Sequence, residues 1–313
     1  MGKIIFISGI PLPAHFVRTV LSVFDDGEVW LQNLPALITS CEERWSIRAL
    51  PPFPNLSYNY AAPAIRADGG QAVLKLGVPN PELTSEIEAL RLYDGHGIAQ
   101  LLEGDAAQGA LLLERLQPGT TLVSMDDDEQ ATVIAAGVMR QLWRPVPPDH
   151  PFPTLERWTQ ALRNIRDNFD GGTGPLSEHL VDMAQQLLRD LLATPTGEVL
   201  LHGDLHHDNI LQAERQPWLA IDPKGVVGEP EYEVGALLHN PLPKLLQMPH
   251  PGSVLARRID ILTEQLGFDC QRVVAWGIVN AVLSACWSVE DDGDEWIPAM
   301  MTCAELLAAE LRN

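Results

Sequence analysis

The sequence predicts an α+β chain of two lobes, a small strand-rich N-terminal lobe followed by a large, mainly helical C-terminal one. Three observations predict it. Short apolar runs bounded by turn residues crowd the first third of the chain. Helical spacing of apolar residues dominates from about residue 126 onward. Three short strand patterns, EVLLHGD, NILQA and WLAID, interrupt the helical part between 198 and 222. A length of 313 residues suits two domains at about 150 residues each. A composition 46% hydrophobic and 20% charged is that of a globular chain with a sizeable core.

Taken in order, residues 12–24 read as a short helix. Residues 50–63, LPPFPNLSYNYAAP, read as loop and turn because Pro, Asn and aromatics crowd there. QAVLKLG, 71–77, is an apolar run between glycines and suits a strand. A helix follows from about Pro81 to Tyr93, with Pro81 in its first turn and Glu82, Glu86 and Glu88 on the side of the positive dipole end. AQLLEGD and GALLLERL read as two strands joined by a turn. Residues 126–143, 154–168 and 176–193 carry helical periodicity, and helical patterns return from about Tyr232 to the end. Residues 1–116 thus form the N-lobe with an N-terminal extension, and residues 117–313 the C-lobe, the hinge falling near 114–119.

The charge narrows the partners. Forty-two acidic against 21 basic residues give a formal net charge of −21. That field repels nucleic acid and anionic membrane surfaces and attracts a small cation. Cys41, Cys270, Cys286 and Cys303 form no C-x-x-C pair and read as buried thiols of a cytoplasmic protein. The start, MGKIIFISGIPLPAHF, lacks a small-x-small cleavage site, and Phe6 stands where myristoylation needs Ser or Thr. The uncharged run 273–289 approaches the length of a membrane span, but Asn280, Ser284, Ser288 and Gly277 favour an interior helix. Oligomeric state is not encoded in any pattern.

The chemistry is concentrated in LLHGDLHHDNILQ, 200–212, and LAIDPKG, 219–225. The core is H-x-D-x-x-x-x-N, formed by His202, Asp204 and Asn209, with Asp222 at the end of the apolar strand that follows. Phosphoryl transfer needs this set. One carboxylate orients the attacking hydroxyl and accepts its proton late in the step, while an amide oxygen and a second carboxylate hold Mg²⁺ against the phosphates. His202 reads as a brace of the loop rather than a proton carrier.

HGDLHHDN with a downstream ID resembles the aminoglycoside phosphotransferase family. IDPKGVVGEPEYEVGALLHNP, 221–241, is similar to its streptomycin 6-kinase and aminoglycoside/hydroxyurea resistance kinase branch. The resemblance runs from about Tyr58 to the C-terminus and is densest at 199–241. It implies a protein-kinase-like two-lobed fold with a nucleotide-binding N-lobe and a C-lobe carrying catalytic loop and acceptor site. It implies ATP as donor, Asp204 as catalytic base, and Asn209 and Asp222 as Mg²⁺ ligands. It also asks for a strand lysine on the nucleotide phosphates and a helix glutamate to hold it. Lys75 in AVLKLG fits the first and Glu86 in SEIEALRLYDG the second, with Glu88 a competitor. LLLERLQPG resembles the hinge, whose backbone near Glu114–Leu116 would bond the adenine. The chain departs from the pattern in three places. NLSYNYAAP stands where a Gly-rich loop would cover the phosphates, leaving Ser57 and Asn59 as contacts. The usual G-D-P-x-x-D appears as GEPEYEV, with Glu229 and Glu233. Asp222-Pro223-Lys224 occupies the D-F-G position, and no activation loop follows, which argues against a protein kinase.

The acceptor is expected to be a small cationic molecule. Glu231 and Glu233, and Asp291, Asp292, Asp294 and Glu295 between Trp287 and Trp296, are the candidate contacts, holding ammonium or guanidinium groups by charge-assisted hydrogen bonds. Within that class the family points to streptomycin 6-phosphotransfer, with hydroxyurea or another small metabolite as alternatives. Two further readings stay open at this point. One is a metal-dependent hydrolase using His202, Asp204, His206, His207 and Asp208 as ligands. The other is a nucleotide-binding protein without transfer activity.

Overall fold

A computed structural model describes residues 4–7, 9–290 and 294–311. The chain divides into two compact units, Met1–Leu116 and Gln117–Asn313.

The first unit opens with a hairpin, β1 (Ile4–Ile7) and β2 (Ile10–Pro13), and two helices, α1 (Ala14–Val23) and α2 (Gly27–Trp45). Then comes an antiparallel sheet of β3 (Ile47–Ala49), β4 (Tyr60–Arg66), β5 (Gln71–Leu76), β6 (Leu101–Asp105) and β7 (Ala110–Glu114). Helix α3 (Pro81–Tyr93) lies between β5 and β6 in sequence. The spatial order is β3-β4-β5-β7-β6. Alternation along a strand sorts its residues to two faces. Tyr60, Ala62 and Ala64 of β4, Leu74 and Leu76 of β5 and Leu112 of β7 join Phe16 and Val20 of α1 and Trp30, Leu31 and Leu34 of α2 in one buried core. Lys75 alternates with Leu74 and Leu76 and therefore points to the opposite face. Helix α3 starts as its sequence dictates: Asn80 caps it by accepting the Leu83 N–H at 2.9 Å, with Pro81 next.

The segment expected as loop over 50–63 is strand from Tyr60. Pro63 is tolerated there because it pairs with Val73 on one side and lies at the end of the short β3 on the other.

The second unit begins with β8 (Pro118–Thr121) and α4 (Asp128–Leu142). The helix expected over 154–168 is broken into α5 (Leu155–Trp158) and α6 (Gln160–Asn164). Thr159, buried at the break, donates its hydroxyl back to the Leu155 carbonyl at 2.7 Å, a contact that bends helices. After α7 (Glu178–Ala193) come β9 (Val199–Leu201), β10 (Ile210–Ala213), β11 (Trp218–Ala220) and β12 (Val226–Gly228). These make two small sheets, β8-β10-β11 and β9-β12. The remainder is helical: α8 (Val234–His239), α9 (Lys244–Gln247), α10 (Pro251–Leu266), α11 (Cys270–Glu290) and α12 (Ile297–Ala308).

Helix α11 is apolar on every side, and such a helix needs packing on every side. It packs against α6, α7, α8, α10 and α12. By length and composition it is the one described helix fit to cross a membrane, yet 72% of its most apolar stretch is buried within the protein. Fully buried Arg258 of α10 ties the unit together. Its guanidinium pairs with Asp128 at the start of α4 and donates to the Leu237 and Leu238 carbonyls at the end of α8.

Candidate active site

Antiparallel pairing of β9 and β12 sets Leu201 opposite Val226. The chain leaving β9 therefore runs beside residues 224–225, whose N–H groups donate to the His202 carbonyl at 2.7 and 3.3 Å. Gly203 turns the chain with φ +87°, and a Cβ there would stand 2.9 Å from Val226 Cγ2, so only glycine fits. His202 is completely buried. Its Nε2–H donates to the Ile221 carbonyl at 2.7 Å, and its Nδ1 accepts the Asp204 N–H at 3.3 Å. Burial pulls its pKa down to about 4, so the ring is a neutral strut.

Asp204 emerges from this turn with its carboxylate 41% exposed. His206 Nε2 lies 3.8 Å from Asp204 Oδ2. A single helical turn, His207–Asn209, then leads into β10. Asn209 Nδ2 donates to the Asp204 carbonyl at 2.9 Å, which turns the Asn209 Oδ1 the other way as an acceptor. Strands β10 and β11 form a hairpin with Ile210 opposite Ala220, and the Ile221 N–H closes it on the Asn209 carbonyl at 2.9 Å. Asn209 and Asp222 thus leave the same end of one hairpin. Asp222 itself has φ +59°, a left-handed backbone immediately before Pro223, which costs on the order of 1–3 kcal/mol and persists where the surroundings enforce it.

Behind the loop stands Glu233, 1% exposed. Its Oε2 accepts the His202 N–H at 2.7 Å and its Oε1 the Gly203 N–H at 2.9 Å. Burial raises its pKa to about 7, against the pull of these two donors. Glu231 is also buried and accepts the Thr196 hydroxyl at 2.7 Å. Glu229 accepts from Arg272, Trp276 and the Thr196 N–H. Among the other residues singled out near the acceptor, Asp291 and Asp292 lie outside the described residues, Asp294 opens the short turn Asp294–Trp296, and Glu295 is exposed.

In the first unit, Lys75 Nζ meets Glu86 Oε1 of α3 at 2.6 Å, both residues 6% exposed. Glu88, two positions on and so on another side of the helix, pairs with Arg91 instead. Ser57 is exposed in the turn that enters β4, and the Asn59 carboxamide lies against Gly77 just past β5. Glu114 accepts the Gln100 N–H at 3.0 Å, and Leu116 is buried.

The set of hard oxygen donors, Asn209 Oδ1 and the Asp222 carboxylate, fits Mg²⁺. A zinc cage does not form: among the described residues no three His, Cys, Asp or Glu side chains converge. His202 is committed to Ile221, and His207 is buried. Three features of the site escaped the sequence reading. One is the clamp formed by Glu233. Another is buried His239, whose pKa burial pulls down to about 4 against the opposing Asp204 charge. The third is Tyr232, whose hydroxyl accepts Trp158 Nε1–H at 2.9 Å. Only the EYE spelling around Tyr232 hinted at any of them.

The chain is 33% identical over 304 residues to the streptomycin 6-kinase of Streptomyces glaucescens, covering 95% of each. It is 35% identical over 295 residues to the hydroxyurea phosphotransferase of Kitasatospora aureofaciens, covering 90% of this chain and 81% of that protein. Among solved structures it shares its fold with a thermostable mutant of aminoglycoside phosphotransferase APH(4)-Ia, in ternary complex with ADP and hygromycin B. That match has TM-score 0.64 and 14% identity over 89% of this chain and all of the other. Choline kinase LicA from Streptococcus pneumoniae gives 0.60, 13%, 88% and 99%. The family model for aminoglycoside/hydroxyurea antibiotic resistance kinases matches residues 59–293, and the chain belongs to that family.

Proposed function

We propose that this chain is an ATP- and Mg²⁺-dependent kinase that phosphorylates a hydroxyl of an aminoglycoside-type acceptor, streptomycin at its 6-position being the best single candidate. The observation that carries the reading is the convergence of Asp204, Asn209 and Asp222 on one loop and one hairpin end, with Asn209 bonded to the backbone of Asp204.

In this reading Asp204 orients the acceptor hydroxyl toward the γ-phosphate and takes its proton late in transfer. Asn209 Oδ1 and the Asp222 carboxylate hold Mg²⁺, which when bound neutralises charge on the phosphates. Lys75, steadied by Glu86, offers its ammonium to the α- and β-phosphates, and Ser57 and Asn59 supply polar contacts in place of a Gly-rich loop. The unit Met1–Leu116 is the nucleotide-binding lobe and Gln117–Asn313 the catalytic lobe. Residues 114–119 act as hinge, and the Glu114–Leu116 backbone is the adenine contact. Glu233 supports the loop and Glu231 holds Thr196 rather than touching the acceptor, because both carboxylates are buried and bonded. The protein acts in the cytoplasm on a small cation, as its net charge of −21 favours.

Hydroxyurea is the second acceptor. Relatives carrying the two activities are about equally similar, so identity does not rank them, and charge favours the cation. ADP release from Mg-ATP is measured across streptomycin, other aminoglycosides, hydroxyurea, choline and homoserine, with Asp204→Ala in parallel. Release that depends on streptomycin and vanishes in the variant is the expected result. Release with another acceptor alone overturns streptomycin. ATP binding with no transfer to any of them overturns the acceptor class.

A further inference from the structure

Trp158 and Trp287 lie on two elements that the sequence does not relate, α5 and α11. They meet with ring centroids 5.3 Å apart at 64°, an edge-to-face contact between two partly exposed rings. Neither is placed by chance packing. Helix α5 is pressed onto β12: Thr154 bridges Val227, and Gly228 leaves room for the Leu155 side chain where a Cβ would collide. Trp158 Nε1 donates to the Tyr232 hydroxyl at 2.9 Å, and Tyr232 packs edge-to-face on buried Trp276 at 5.2 Å. Tyr232 directly precedes Glu233, the residue that holds the backbone of the Asp204 loop. Burial, with the Asp204 charge adding to it, holds the proton on the Tyr232 hydroxyl. The rings are thus fixed to the same support as the carboxylate proposed to receive the acceptor proton.

A partly exposed pair of indoles, one of them held by a partly buried hydrogen bond, is stiffer than a solvent-facing Trp, so its π-faces are preorganised. Indole is the strongest aromatic partner for ammonium and guanidinium groups. The chain as a whole carries a net charge of −21, which favours the approach of a cation. From this placement we propose that Trp158 and Trp287 form a cation-binding subsite on the framework that holds the Asp204 loop, which seats an ammonium or guanidinium group of the acceptor and selects charged over neutral acceptors. The subsite rests on the kinase reading for its use in transfer but not for its binding.

The test is equilibrium binding of streptomycin, spermidine, choline and hydroxyurea to wild type, Trp287→Phe and Trp287→Leu by calorimetry, with ADP release and thermal midpoints on the same samples. Trp287 is chosen because Phe keeps an aromatic face there, whereas changes at Trp158 also remove its hydrogen bond. At least one of the cations binds wild type. Trp287→Leu weakens it about tenfold and Trp287→Phe by no more than about threefold, while ATP binding holds. Equal weakening in both variants, no weakening, or no cation bound by wild type overturns the subsite. Transfer to hydroxyurea without cation binding overturns the subsite and leaves the kinase reading standing. Trp287-dependent cation binding without transfer to any acceptor leaves the subsite standing and overturns the acceptor class.

Discussion

Glu233 grips the backbone of Gly203. The Gly203 N–H reaches Oε1 at 2.9 Å while the neighbouring His202 N–H takes Oε2, so one buried carboxylate holds both peptide groups that aim Asp204. Glu233→Gln keeps the shape but sets an NH₂ against a backbone donor. It is expected to lower kcat at least tenfold with little change in ATP affinity, and to destabilise by about 1–3 kcal/mol. Steady-state kinetics and denaturant unfolding check both, and an unchanged kcat removes the clamp from the mechanism.

Gly203→Ala probes the same loop from the other side. The left-handed φ of +87° and the close approach to Val226 penalise any Cβ. A stability loss of about 1–3 kcal/mol and a loss of activity exceeding that of Glu233→Gln are expected, read by thermal unfolding and turnover. A variant as stable and active as wild type contradicts the turn geometry.

The buried pair Lys75–Glu86 separates stability from chemistry. Removing either partner leaves a buried charge, at about 3–5 kcal/mol. Lys75→Met with Glu86→Leu is expected to recover most of that stability while turnover stays lost. Recovery of turnover in the double variant shows that the ammonium does nothing for ATP.

Three buried histidines set the acid limit. Burial holds His202 and His239 at about 4 and His207 at about 2, against an ordinary value near 6.5. Between these values the unfolded chain binds protons that the folded chain refuses, so stability rises with pH through that window and is lost on acidification. Near pH 5 each histidine has forfeited about 2 kcal/mol. Glu233 works the other way: its folded pKa near 7 lies above its unfolded one, so its share of stability falls as pH rises toward 7. One glutamate against three histidines leaves the histidines deciding the sign. A thermal midpoint that drops between pH 7.5 and 5 is expected. His207→Phe is expected to flatten the drop at little cost at pH 7.5, because neither ring nitrogen of His207 has a hydrogen-bond partner among the described residues. A midpoint that rises on acidification overturns this account.

Much of the fold was legible because its signals are local. Asn80-Pro81 starts α3 where a cap and a first-turn proline should, and HGD-x-x-x-x-N with a trailing strand spells the loop and hairpin. Helix α2 was not read, since Pro35 sits inside it and its polar residues blur the period. The break at Thr159 was hidden because a threonine hydroxyl's choice of carbonyl leaves no pattern. Glu233 looked like an acceptor contact because it is acidic and follows the metal loop. Its partners lie 30 and 31 residues earlier, and only folding brings them together. The tryptophan pair is likewise a product of tertiary packing, while Glu86, preferred to its competitor Glu88 from the sequence, is the residue that meets Lys75.

The hairpin from Asn209 to Asp222 carries one more implication. Both residues leave its open end, and the turn at 214–217 lies at the other, remote from the chemistry. Lengthening that turn leaves both residues in place, whereas adding one residue inside β10 or β11 reverses which way the later side chains of that strand point. The spacing of 13 positions from Asn209 to Asp222 is therefore an incidental length. What evolution or an engineer must preserve is the strand pairing, and a search for distant members of this family should let the number of residues between Asn209 and Asp222 vary.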